Sequence, residues 1–168
     1  MVVDWLAARA GKPWTASAAT HSQVACVELG GREALLAKPQ TYMNRSGLAV
    51  GALSRQLACQ PAEMLVIVDD FLLDFGRLRF RRSGSDGGHN GLASVLEELG
   101  TQEIPRLRLG IGSPPPGAAV IDYVLSPFAA AEEAEALARG GAQALAFFAE
   151  AGIEAAMNRF NGSKVSSG

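Results

Sequence analysis

The chain has 168 residues, 48% of them hydrophobic and 19% charged, with a formal net charge of -2. That is one domain's length with apolar material for a sizeable core. It excludes a chain that is disordered tail throughout, a collagen-like repeat, a disulfide miniprotein and a strongly basic, histone-like nucleic-acid binder. Weak overall acidity leaves room for a local basic patch, so nucleic acid stays open as a partner.

Residues 2–10 read as the end of an amphipathic helix, with Val3, Leu6 and Ala7 on one face and Lys12-Pro13 closing it. The opening MVVDWLAARAG has no basic segment before an apolar run, so it is not expected to act as a signal peptide. No segment is apolar for long enough to span a bilayer, and a cytoplasmic location is expected. Val24 to Leu29 reads as a strand, turned by Gly30-Gly31 into a second strand over Glu33 to Ala37. Ser46 is placed to cap a helix that runs to about Leu57. Met64 to Val68 is a continuous apolar run, the pattern of a short strand buried on both faces. Arg77, Arg79 and Arg81 alternate with apolar residues and share one face of a further strand. The glycine-rich loop Ser83 to Gly91 leads into a helix with Leu92, Val95, Leu96 and Leu99 at helical spacing. Arg106 to Ile111 alternates as another strand, and Ser113 to Gly117 is a stiff proline loop. Leu137, Leu145 and Phe148 mark a long helix that Gly140-Gly141 is expected to interrupt, followed by a short helix with Met157 to Phe160. The tail from 162 to 168 is expected to be disordered. Strands alternating with helices predict a single layered α/β domain over residues 1–161.

Four segments carry residues suited to chemistry. Asp69 and Asp70 end the apolar strand, where functional groups gather in open α/β sheets. An acid there orients a general base, binds a metal, caps a loop or simply ends a strand. In the loop 83–91, glycines permit close backbone approach. Asn90 is both donor and acceptor, and His89 is a candidate proton carrier. Asn90 equally suits a helix cap. The loop is neither a Walker loop nor a dinucleotide fingerprint. In Lys38 to Gly47, Asn44 and Met43 precede a helix start, where an amide can bind a peptide group; an ordinary capped connection reads the same way. The arginines at 77, 79, 81, 82, 106 and 108 fit phosphate contact or a solvated strand face. Cys26 and Cys59 lack metal-ligand spacing, lie in apolar stretches and are expected to be buried free thiols. No GxSxG elbow is present, which argues against a serine esterase of the α/β-hydrolase kind.

Taken together, KPQTYMNRSG, the Asp69-Asp70 strand with DFGRLRFR, GGHNGLASV, RLRLGIG, VIDYVLSPF and AMNRFNG resemble the bacterial-type peptidyl-tRNA hydrolase family, in family order over nearly the whole chain. The resemblance implies a three-layer αβα domain with a twisted mixed sheet. It implies hydrolysis of the ester between a peptide and the 3′ ribose of tRNA, with peptidyl-tRNA as partner, no metal, no cofactor, no membrane and a monomeric state. A histidine base, an aspartate that orients it and asparagines that hold peptide and oxyanion do the chemistry in such proteins. By motif match Asp69 and Asn90 are catalytic. Asn44, Tyr42, Met43 and His89 contact substrate, and Arg81 and Arg108 grip tRNA phosphate.

The family's opening strand, its GNPG-like turn and its TRHN-like segment with the histidine base have no counterpart in the sequence. The resemblance therefore implies a domain lacking its first strand at the N-terminus, with unpaired ladder groups beside the gap and low or no hydrolysis. A non-catalytic relative that binds tRNA or other RNA is the alternative function.

Overall fold

The computed structural model describes residues 1–165. In chain order it contains α1 (Val2–Arg9), β1 (Thr15–Ser17), β2 (Ser22–Leu29), β3 (Arg32–Pro39), α2 (Ser46–Leu57), β4 (Val66–Asp70), β5 (Leu78–Arg81), α3 (Asn90–Leu99), β6 (Arg106–Gly110), α4 (Val120–Leu125) and α5 (Ala131–Phe160). Strands and helices alternate as the α/β pattern predicts. The strands fall into two three-stranded sheets. One has the order β1-β2-β3, all antiparallel. The other has the order β4-β6-β5, with β4 parallel and β5 antiparallel to β6.

Alternation explains the layers. Leu78 lies opposite Leu109, and Phe80 opposite Leu107. This face meets α5, where Phe80 stacks on Phe148 at 6.1 Å between ring centres and lies 6.0 Å from Phe160. Burying a side chain such as Phe80 stabilises by about 1.5–3 kcal/mol. Helix α1 packs on α5 through Val2, Leu6 and Ala7. Helices α2 and α3 pack on each other, and each touches a strand, α2 on β3 and α3 on β4. The strands thus lie between two helix pairs, an αβα arrangement with mixed strand directions.

Several expectations are corrected. The strand expected to be buried on both faces, β4, is an edge strand among the described residues, and Val66 and Ile67 are only half-buried. An apolar run reports on the two faces of a strand and says nothing about its neighbours within the sheet. Gly140 and Gly141 do not interrupt α5; a Cβ on Gly141 would stand 2.7 Å from Val2 Cγ2 and one on Gly140 2.5 Å from Val165 Cγ2, so Gly141 admits α1 and Gly140 admits Val165 to the helix surface. The break lies at Gly152, whose φ of 80° and ψ of 178° suit glycine alone. Ser46 is the first helical residue rather than the cap of α2, and its hydroxyl donates to the Met43 carbonyl at 2.9 Å. Cys26 is free and exposed, because alternation along β2 sends Ala25 and Val27 inward instead, and Cys59 is free and half-buried. Part of the expected disordered tail is placed: Val165 N–H donates to the Gly76 carbonyl, and Lys164 bridges to Arg77. Residues 166–168 lie outside the described residues.

Candidate active site

Successive side chains on a strand point to opposite faces, so the two acids that end β4 meet different partners. Asp70 is 7% exposed. One of its oxygens accepts from Leu72 N–H at 2.9 Å, and the other pairs with Arg108 Nη1 at 2.9 Å. Asp69 retains more contact with water and lies 3.4 Å from His89 Nε2, longer than an ordinary N–H···O bond. Its carboxyl is held below the ordinary value of 3.8 by the bond to His89, which outweighs the upward push of partial burial.

His89, not Asn90, caps α3. Its Nδ1 accepts from Leu92 N–H at 3.1 Å. The cap sets the proton: in the neutral ring, with Nδ1 accepting, the hydrogen sits on Nε2 and points toward Asp69. Asn90 becomes the first helical residue. It is exposed, and no hydrogen bond among the described residues engages its side-chain amide. The sequence offered Asn90 as one possible cap, since asparagine is a common capping residue.

The segment before α2 reaches the same place. Met43 to Arg45 forms one tight helical turn against the start of α3. A Cβ on Gly91 would stand 2.5 Å from Met43 Sδ and 3.0 Å from His89 Cε1. Only glycine at 91 lets the thioether and the imidazole approach the same helix end. Tyr42 is 81% exposed. Asn44 lines a shallow hollow on the α2–α3 side with Ser94, Glu97 and Glu98, beside Met43 rather than against Asp69. His21 lies apart from this cluster in the turn before β2, where its carbonyl accepts from Gln40 N–H.

The face of the second sheet away from α5 carries arginines. Arg79 lies opposite Arg108, and Arg81 opposite Arg106. Directly opposite residues in an antiparallel pair share a face, and like charges there repel. Arg81 is half-buried; burial first, then Arg79 and Arg108, depress its pKa. Arg106 is 2% exposed, its Nε lacks a partner among the described residues, and its Nη2 donates to the Gln102 carbonyl at 3.4 Å. Arg82 pairs with Glu154 at 2.9 Å. The structure therefore brings Asp69, His89, Asn90 and Met43 together at the ends of β4 and α3, and sets the arginine face next to them. Asp70, Asp86 and Gly91 belong to the same arrangement. Their signal in the sequence was position: one step from Asp69, and inside the glycine-rich loop.

A family description, that of the peptidyl-tRNA hydrolases, matches residues 1–168. The chain belongs to the peptidyl-tRNA hydrolase family. The match covers the whole chain. A peptidyl-tRNA hydrolase from Symbiobacterium thermophilum is 54% identical over 130 residues, covering 76% of this chain and 68% of that protein. One from Mycobacterium tuberculosis is 42% identical over 161 residues, covering 95% of this chain and 84% of that protein. Among solved structures, the peptidyl-tRNA hydrolase from Acinetobacter baumannii superposes with a TM-score of 0.84 at 30% identity, over 98% of this chain and 85% of that one. The αβα fold is thus the fold of the peptidyl-tRNA hydrolases. Among the described residues no three His, Cys, Asp or Glu side chains gather as a metal site, and no helix is long and apolar enough to cross a membrane.

Proposed function

We infer that this chain hydrolyses the ester of peptidyl-tRNA, releasing the peptide acid and free tRNA. The Asp69–His89 pair at the meeting of β4 and α3 is the observation that carries the reading, on a chain that belongs to this family. Asp69 is the anion of the site, and the carboxylate oxygen that His89 leaves open accepts from the attacking water. The water's oxygen joins the ester carbonyl carbon, and its proton leaves on the 3′ oxygen of the ribose. Asn90 offers a free side-chain N–H to the developing oxyanion. Tyr42 and Met43 line the peptide side, and the Asn44 amide hydrogen-bonds the peptide backbone. Arg81 takes a tRNA phosphate on the sheet face beside the site, with Arg108 behind it. A carboxylate held below its usual range is a weak base near neutrality. Positioned general-base assistance is worth roughly 10²–10⁴-fold, so slow turnover is expected. The same reading has the chain act as a cytoplasmic monomer without cofactor or metal.

The test is release of tRNA from an N-blocked aminoacyl-tRNA, run beside direct tRNA binding. Ester cleavage that falls by about 10²-fold or more in Asp69→Asn, with tRNA affinity within twofold, supports the reading. Equal turnover in the variant contradicts Asp69's role. Binding without any cleavage by the unaltered chain would identify a non-catalytic relative instead.

A further inference from the structure

Asp70 and Arg108 are joined to the Asp69–His89 pair by a run of hydrogen bonds that the Asp69–Asp70 backbone closes into a circuit. Arg108 Nη1 bonds Asp70 at 2.9 Å, and Arg108 Nη2 donates to the Asp86 carbonyl at 2.6 Å. The same carbonyl accepts from His89 N–H at 3.2 Å. His89 closes the circuit through Asp69, the chain neighbour of Asp70. Further bonds tighten the loop: Asp86 Oδ2 accepts from Gly88 N–H at 2.7 Å. The approach of Arg108 depends on Gly87, where a Cβ would stand 2.3 Å from Nη2.

We propose that Asp70 and Arg108 are positioning residues for the hydrolytic site: the buried ion pair ties the end of β4 to the glycine-rich loop and thereby sets the His89 ring against Asp69. The proposal rests on the reading of Asp69 and His89 as the hydrolytic pair. It gives Arg108 a different principal role from the phosphate contact that the motif match implied. Three observations favour this. Arg108 is 15% exposed at its side chain, and both of its terminal nitrogens already have partners within the chain. The planar fork of a guanidinium spans two acceptors in fixed directions, which suits a bridge. Asp70, with each oxygen engaged inside the chain and only 7% of its surface exposed, is poorly accessible to substrate.

Arg108→Lys separates the two roles. Lysine keeps the charge a phosphate needs but cannot bridge Asp70 and the Asp86 carbonyl as a fork. Asp70→Asn is the companion variant; it keeps an acceptor for Leu72 N–H and removes the charge that orients Arg108. Two readouts are taken on folded protein, shown by a cooperative thermal transition. The first is kcat and KM for a blocked aminoacyl-tRNA across a salt series. The second is the ¹⁵N spectrum of the imidazoles in the substrate-free chain, which has two histidines, His21 and His89. His21→Asn assigns the signals.

For the unaltered chain, His89 should show one tautomer, with the proton on Nε2. In Arg108→Lys and Asp70→Asn it should become a mixture. The kcat should fall about 10- to 100-fold, the scale of a misplaced catalytic group, with KM and its salt dependence within twofold. An unchanged His89 tautomer in a folded variant overturns the proposal. So does a rise in KM with kcat unchanged, which would make Arg108 a phosphate contact. The tautomer readout needs no activity: a chain that fails to cleave ester yet shows the His89 change fails the hydrolase reading and keeps the positioning role. If Asp70→Asn does not fold, Arg108→Lys carries the same comparison with the buried charges retained.

Discussion

At the residue scale the charge of Asp69 follows chiefly from His89. The bond from His89 holds its carboxyl below 3.8, although burial pushes the other way. A carboxylate depressed on folding contributes stability above its unfolded value, and that contribution is lost as pH falls through the lower folded value. Acid titration of the unaltered chain should therefore show a loss of stability below about pH 4 that is weaker in Asp69→Asn. Parallel acid profiles for the two proteins would refute the assignment. The sequence indicated which residues matter here, since Asp69, His89 and Asn90 all lie within two short segments. It did not indicate which of His89 and Asn90 caps α3. Both can accept from a backbone N–H, and in the fold His89 takes the cap with one ring nitrogen while the other faces Asp69 on a neighbouring element.

At the element scale the outer edge of β5 is closed by a side chain. Asn161 accepts from Phe80 N–H at 2.7 Å and donates to the Phe80 carbonyl at 3.2 Å, so its amide stands where a neighbouring strand would. The next residues continue along that edge through Lys164 and Val165. Asn161→Ala leaves two partly buried main-chain groups unpaired and should cost about 1–3 kcal/mol. A urea midpoint equal to that of the unaltered chain would contradict this. The element types were legible because periodicity is a local property: α3, β5 and β6 follow their 3.6- and 2-residue patterns closely. Long-range fit was not legible. The glycine pair at 140–141 reads as a helix break until Val2 is seen against Gly141. The run MLVIV reads as a strand buried on both faces until β4 is seen at a sheet edge among the described residues, with Val66 and Ile67 half-buried.

For the whole molecule, a net charge of -2 conceals an uneven distribution. The β5 and β6 arginines occupy one sheet face, and among the described residues a single carboxylate, Asp70, is paired there, with Arg108. That asymmetry lets a weakly acidic protein approach a polyanion through one side. Affinity for tRNA should fall with rising salt, and Arg81→Ala should weaken binding and reduce the magnitude of the salt slope by about one. A slope unchanged in the variant would remove Arg81 from the interface. What the sequence by itself determined is the fold class, the family and the residue types of the site, because composition, periodicity and ordered motifs are carried in the covalent chain. Only the tertiary structure decided the partnerships: Asp69 with His89, Asp70 with Arg108, Asn161 with Phe80. Each joins residues from 20 to 81 positions apart. Such pairings depend on how packed layers bring strand ends and loops together, and local spacing does not encode that distance.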